Sequence, residues 1–243
     1  MKRSIYAEFL KLRHSRIGFV LVVLPLISML IGCLNFYFNQ GVLTNGWYSL
    51  WTQVSLFYGE FFLPILIAIC CAYVCRLEHL NRNWNMLMTS PVSVSSVFIA
   101  KLVVVSILIL FVQMLFIGLY LLAGILFTIS EPFPVETISM TIRGWFASLS
   151  IISLQLALSL RIRSFAIPIG ISLCAVFIGL GLYIAKLGLF FPYSLLTFGM
   201  SVLNQVEMTG IQNILFWVMN MTFIVIFASM SINQLKNKDI KSS

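Results

Sequence analysis

Apolar residues run through this chain in stretches too long for the buried face of any water-soluble helix. One run, Ile17 to Phe38, carries no charged residue, and others lie near Phe57 to Cys75, Val97 to Thr128, Trp145 to Leu160, Phe165 to Ala185 and Ile214 to Ile232. A hydrocarbon core about 30 Å thick takes roughly 20 helical residues, so these runs are read as membrane crossings, the fourth short and the third long. Composition leaves no other solvent: 60% of the 243 residues are hydrophobic and 9% are charged, against about 25% charged in soluble domains. The expected fold is an all-α membrane protein with six transmembrane helices, and residues 1–243 form a single transmembrane domain.

Six crossings leave only short connections, so no soluble catalytic domain fits between them. No Gly-x-x-x-x-Gly-Lys-Ser/Thr occurs, which excludes P-loop nucleotide binding by this chain. The expectation is a non-enzyme with no catalytic residue, cofactor or metal, whose energy comes through another chain. Cys33, Cys70, Cys71, Cys75 and Cys174 lie in or beside apolar runs, without CxxC pairs joined to histidines. They read as small buried hydrophobes. His14 and His79 stand apart from each other and read as solvated.

An even number of crossings puts both chain ends on one side. Lys2, Arg3, Lys11, Arg13, Arg16, Arg76, Arg82, Lys101, Arg161, Arg163, Lys236, Lys238 and Lys241 share that side, thirteen of the fifteen Lys and Arg, while Arg143 and Lys186 face the other. By the positive-inside rule the shared side is cytoplasmic, both termini included. The net charge of +8 is then a topology signal and needs no nucleic-acid partner. The basic start MKRSIYAEFLKLRHSR precedes an apolar run, as in a signal peptide, but that run has the length of a full span and no Ala-x-Ala follows it, so it is read as retained. Trp47, Tyr48 and Trp51 in the first outer loop, with Trp145 opening the fourth span, read as an outer aromatic belt.

Three segments outside the spans carry information. In residues 1–16, Ile5, Phe9 and Leu12 recur at helical spacing among Lys2, Arg3, Lys11 and Arg13, the pattern of an amphipathic helix on the inner leaflet; the alternative is a basic tail. In residues 76–96, Leu80, Trp84, Leu87 and Met88 follow i, i+4, i+7, i+8, Glu78 precedes Arg82 by four residues, and Pro91 ends the pattern. That is a cytoplasmic helix with a face to bury, against a partner or against the chain's own membrane domain. Residues 188–212 are outside yet mostly apolar and are broken by Pro192 and Gly199, so they form either a re-entrant helical hairpin buried in protein or an outer loop covering the bundle.

This arrangement resembles the permease subunits of type-2 ABC exporters, the ABC-2 family, over essentially the whole chain. The family's inner loop runs from an acidic residue through a hydrophobic turn and a Thr/Ser-Pro pair to a basic residue, matched here by Glu78, Leu87, Met88, Thr89, Ser90, Pro91 and Lys101; the usual Gly-Thr is replaced by Asn83, Trp84 and Asn85. Within the family, the Glu-Phe-Leu-Lys run at Glu8 to Lys11, the size and the apolarity are most similar to permeases of Gram-positive lantibiotic-immunity and bacitracin-resistance systems. The resemblance implies a bacterial cell-membrane exporter, driven by two copies of a separate ABC ATPase, that removes a membrane-active peptide. It implies a second permease, identical or homologous. It also makes Glu78, Arg82, Trp84, Leu87, Met88 and Pro91 the ATPase-coupling residues, with Trp84 and Leu87 as apolar anchors and Glu78 and Arg82 as rim charges.

Polar residues inside spans are the default pathway candidates. Glu60 is the one charge well inside an apolar run, with Gln53 seven residues before it; Ser106, Gln113 and Tyr120, then Ser148 and Gln155, then Asn213 and Asn220 repeat that spacing. Gln53, Glu60, Gln113, Gln155 and Asn220 either line a pathway or, for the amides above all, bond helix to helix. Pro25, Pro64 and Pro168 shape their spans. The rival classes are an ATP-independent secondary transporter or channel, and a membrane sensor or assembly subunit that transports nothing. The lack of a visible inverted repeat weighs against a secondary transporter.

Overall fold

The computed structural model describes residues 1–13, 15–79, 93–203 and 208–237. Among them all regular structure is helical, and six helical stretches have the length and apolarity to cross a membrane. The elements are α1 (Lys2–Leu12), α2 (Ile17–Phe38), α3 (Gly46–Ser55), a π-helical segment (Leu56–Phe62), α4 (Leu63–His79), α5 (Val94–Leu126), α6 (Glu136–Arg161), α7 (Ala166–Ile184), a 3-10 turn (Gly188–Phe190), α8 (Pro192–Gly199) and α9 (Gly210–Asn237). Crossings are made by α2, by α3 running through the π segment into α4, and by α5, α6, α7 and α9.

Two crossings begin well before the apolar runs. The second starts at Gly46 rather than near Phe57, and the fourth at Glu136 rather than near Trp145. Ser, Thr and Gln dilute the apolar signal there, yet folding gives the threonines backbone acceptors: Thr52 donates to the Ser49 carbonyl, Thr137 to the Pro134 carbonyl and Thr141 to the Thr137 carbonyl. The same extension corrects the aromatic belt. Trp47 and Trp51 are buried in α3, edge-on to Tyr120, with Trp47 also against Phe133 and Trp51 against Phe116. Trp145 lies in mid-helix and donates to the Ser106 carbonyl at 3.0 Å.

Packing centres on α6, which lies against α4, α5, α8 and α9. Over its most apolar stretch the second crossing is 67% buried and the sixth only 17%, so the first of these is core and the other rims the bundle. Outward-facing Phe19, Leu30, Phe177, Ile178, Ile214 and Val225 are at home against lipid tails, which do not penalise apolar exposure. Small residues let helices approach where backbone meets backbone: a Cβ on Gly32 of α2 would lie 2.5 Å from the Val54 Cα of α3. At 33 residues α5 is about 50 Å long, so its first turns have room to stand at the membrane surface.

Within residues 188–212, the described parts hold the 3-10 turn and α8, which opens on Pro192, a residue suited to a helix start. Helix α8 is enclosed by α6, α7 and the π segment and buries Tyr193 through Thr197. Residues 204–207 lie outside the described residues.

Candidate functional site

The inward face of α1 is set by spacing: Ser4, Glu8 and Leu12 recur every four residues and point at the bundle, with Ile5 beside them. A carboxylate on a face turned into the bundle needs a counter-charge once buried, and Glu8 is only 4% exposed. It finds two. Its Oε1 lies 2.8 Å from Lys11 Nζ on the same helix, and its Oε2 lies 3.1 Å from Lys101 Nζ on α5. Glu78, at the end of α4, completes the figure, with Oε1 2.6 Å from Lys11 Nζ and Oε2 2.6 Å from Lys101 Nζ.

The result is a closed ring of alternating charge, Glu8, Lys11, Glu78 and Lys101, with no net formal charge. Buried ion pairs repay desolvation only when geometry is good and the remaining donors are used. Lys101 is wholly buried, and its ammonium, which has three protons to give, has three acceptors: Glu8, Glu78 and the Val74 carbonyl at 3.2 Å. Lys11 is the member that reaches water. Burial works against its charge, but Glu78 and then Glu8 outweigh that cost and raise its pKa above the usual lysine value. Ser4 adds a hydroxyl contact to Ser96 of α5 at 3.4 Å.

The ring spans the root of the expected coupling segment, because Glu78 precedes residues 80–92 and Lys101 follows them. Of the expected coupling residues, Glu78 is placed with its carboxylate turned inward onto the two lysines. Arg82, Trp84, Leu87, Met88 and Pro91 lie outside the described residues. Lys101, read from sequence as a cytoplasmic charge and as the basic residue closing the family's inner-loop pattern, is the best-buried member. Glu8 and Lys11 are not among the site residues expected from sequence, although Glu8 interrupts the Ile5/Leu12 stripe, and that interruption is the available signal.

The intramembrane candidates are not brought to one surface. Asn35 of α2 donates to Gln53, whereas Glu60, 4% exposed within the π segment, accepts from Thr197 of α8 at 2.8 Å. The wider π turn between the two puts them on different faces, which spacing along an α-helix does not anticipate. Gln113 of α5 accepts from the Tyr58 hydroxyl at 3.2 Å. Gln155 of α6 donates to the Tyr193 hydroxyl at 2.6 Å, Tyr193 to Ser172, and Ser172 to the Pro64 carbonyl, a chain joining α6, α8, α7 and α4. Asn220 is buried in α9 while Asn213 is exposed. Gln113 Nε2, Gln155 Oε1 and Asn220 Oδ1 have no partner among the described residues. Trp51 donates to the Met200 carbonyl at 3.0 Å and thereby fastens α3 to the residues that follow α8.

Residues 4–179 match the model of a family described as ABC-2 family transporter protein. The matched span contains all four ring residues. No curated protein matches the chain.

Proposed function

This chain belongs to the ABC-2 transporter family, and from that premise we propose that it is the permease of an ATP-driven exporter whose substrate is a membrane-active antimicrobial peptide of lantibiotic or bacitracin type. The permease role and the multi-pass membrane location follow from the family and the six apolar helices. The direction of transport, the peptide substrate and the orientation with both termini cytoplasmic belong to the proposal. The asymmetry of Lys and Arg supports that orientation.

The observation that carries the coupling part of this reading is the Glu78–Lys101 contact at 2.6 Å. It ties the end of α4 to the start of α5 across residues 80–92, so a force applied to that connection reaches the second and third crossings together. A separate ATPase supplies the force, with Trp84 and Leu87 as apolar anchors, Arg82 and Met88 beside them and Pro91 ending the docking element. Glu78 acts from the root, through position rather than contact. A second permease, identical or homologous, completes the translocation path; Glu60, Gln53, Gln113, Gln155 and Asn220, which this chain alone does not bring to one surface, are the residues available to line it.

The test is co-purification. An ATPase recovered with the full chain, and lost when Trp84 and Leu87 are both changed to Asp, supports the exporter. A stable, transport-competent oligomer free of any ATPase supports the secondary transporter or channel instead. Deleting the gene and measuring tolerance to lantibiotics and to bacitracin tests the substrate, and unchanged tolerance to both discards it.

A further inference from the structure

We propose that Glu8 and Lys11 of α1 are positioning residues for energy coupling: together with Glu78 and Lys101 they lock α1 across the root of the 80–92 connection, and the connection engages its ATPase only while that ring is closed. This inference rests on the coupling reading above.

The topology of the ring carries the argument. Two of its four contacts lie within an element or between the roots, Glu8–Lys11 on α1 and Glu78–Lys101 between α4 and α5. The other two cross from α1 to the roots, Lys11–Glu78 at 2.6 Å and Glu8–Lys101 at 3.1 Å. Each root charge therefore sits between its opposite root and a charge from α1, and the separation of the roots is set from both sides. Helix α1 also touches the bundle along a line, through Ser4, Glu8 and Leu12. A line of contact resists rotation as well as translation, so α1 braces the roots against splaying. A helix held only by the membrane surface would need no buried carboxylate on its inward face.

The arrangement offers a sharp test, because charge can be exchanged without being changed in amount. Glu8→Lys with Lys11→Glu keeps the pair within α1, the composition and the net charge, but sets an ammonium at position 8 against Lys101 and a carboxylate at position 11 against Glu78. Adding Glu78→Lys and Lys101→Glu restores alternation around the whole ring. Full-length protein, reconstituted in lipid nanodiscs with the ATPase that co-purifies with it, is assayed for ATPase affinity and for vanadate-sensitive ATP turnover. Like charges facing each other in a buried site are strongly repulsive, so the half exchange is expected to weaken ATPase binding by at least about tenfold, and the full exchange to recover most of it.

Should the half exchange misfold, Glu8→Gln with Lys11→Met removes both crossing ion pairs, leaves Glu78–Lys101 intact and keeps the ring neutral; the same loss is expected from it. A half exchange that folds and binds the ATPase as tightly as the parent overturns the proposal while leaving the exporter reading in place. So does a neutral pair of α1 substitutions with full affinity. Failure of the parent chain to recover any ATPase overturns the exporter reading, and this inference with it.

Discussion

Replacing Lys101 by Met removes an ammonium and keeps an unbranched apolar stem in a wholly buried position. Three acceptors lose their donor at once: Glu8 Oε2, Glu78 Oε2 and the Val74 carbonyl. The two carboxylates are left sharing Lys11 alone, and the site acquires a net negative charge that it did not have. Removing one partner of a buried pair costs about 3–5 kcal/mol. Lys11 still neutralises part of that charge and reaches water, which places the expected loss near the lower end, about 3 kcal/mol. For a chain of this size each kcal/mol moves the unfolding midpoint by about 2–4 °C, so a fall of about 6–12 °C is expected. Cys70, Cys71 and Cys75 are fully buried free thiols in α4, so thermal unfolding in detergent can be followed by their labelling with a thiol-reactive dye. Lys101→Met with Glu78→Gln, which keeps the ring neutral, should fall by less than the single variant. A midpoint for Lys101→Met within about 2 °C of the parent would refute the idea that this lysine holds two buried carboxylates.

Other consequences are open to measurement. The raised pKa of Lys11 means that its contribution is fully present below the unfolded lysine value and is lost as pH rises through the higher folded value; the midpoint gap between parent and Lys11→Met should persist to the ordinary lysine range and close only above it, and a gap that closes at lower pH contradicts the assignment. Gly124→Ala should destabilise by about 1–3 kcal/mol, because its Cβ would meet the Trp47 ring at 2.0 Å while the Trp47 indole is held on the Glu131 carbonyl; Gly118→Ala, with nothing within 4 Å of the added Cβ, is the matched control and should not lower the midpoint. Trp51→Phe preserves an aromatic ring beside Phe116 and Tyr120 but loses the donor to Met200, and should cost about 1 kcal/mol in the same labelling assay. Glu60→Gln retains an acceptor for Thr197 and should leave the fold intact; once the parent chain is found to confer the proposed peptide tolerance, its loss in that variant would assign Glu60 to the pathway, whereas unchanged tolerance would assign it to the packing of α8.

Much of the architecture is open to a linear reading, because lipid selects on a quantity that a sequence displays directly, the length of apolar helix. The run from Ile17 to Phe38 coincides with α2 residue for residue. The early starts of α3 and α6 are hidden because Thr52 and Thr141 look polar in a list but bond to the preceding helical turn once folded. The separation of Gln53 from Glu60 is hidden by a π segment, whose changed pitch no spacing rule for an α-helix contains.

The charges divide along the same line. Counting Lys and Arg on alternate sides of the spans gives an orientation, and the count treats Lys11 and Lys101 alike. In the fold Lys101 is wholly buried and bound on all three of its protons, while Lys11 stays at the water's edge. Apolar length acts locally along the chain, and for that reason a six-span helix bundle can be read from residue order without any knowledge of packing. The partners of the buried charges have no such local signature: Glu8 meets a lysine 93 positions away, and Glu78 meets one 67 positions before it and another 23 after. A buried charge takes its energy from whichever counter-charges the packing brings within about 3 Å, and that distance exists only once the helices have docked.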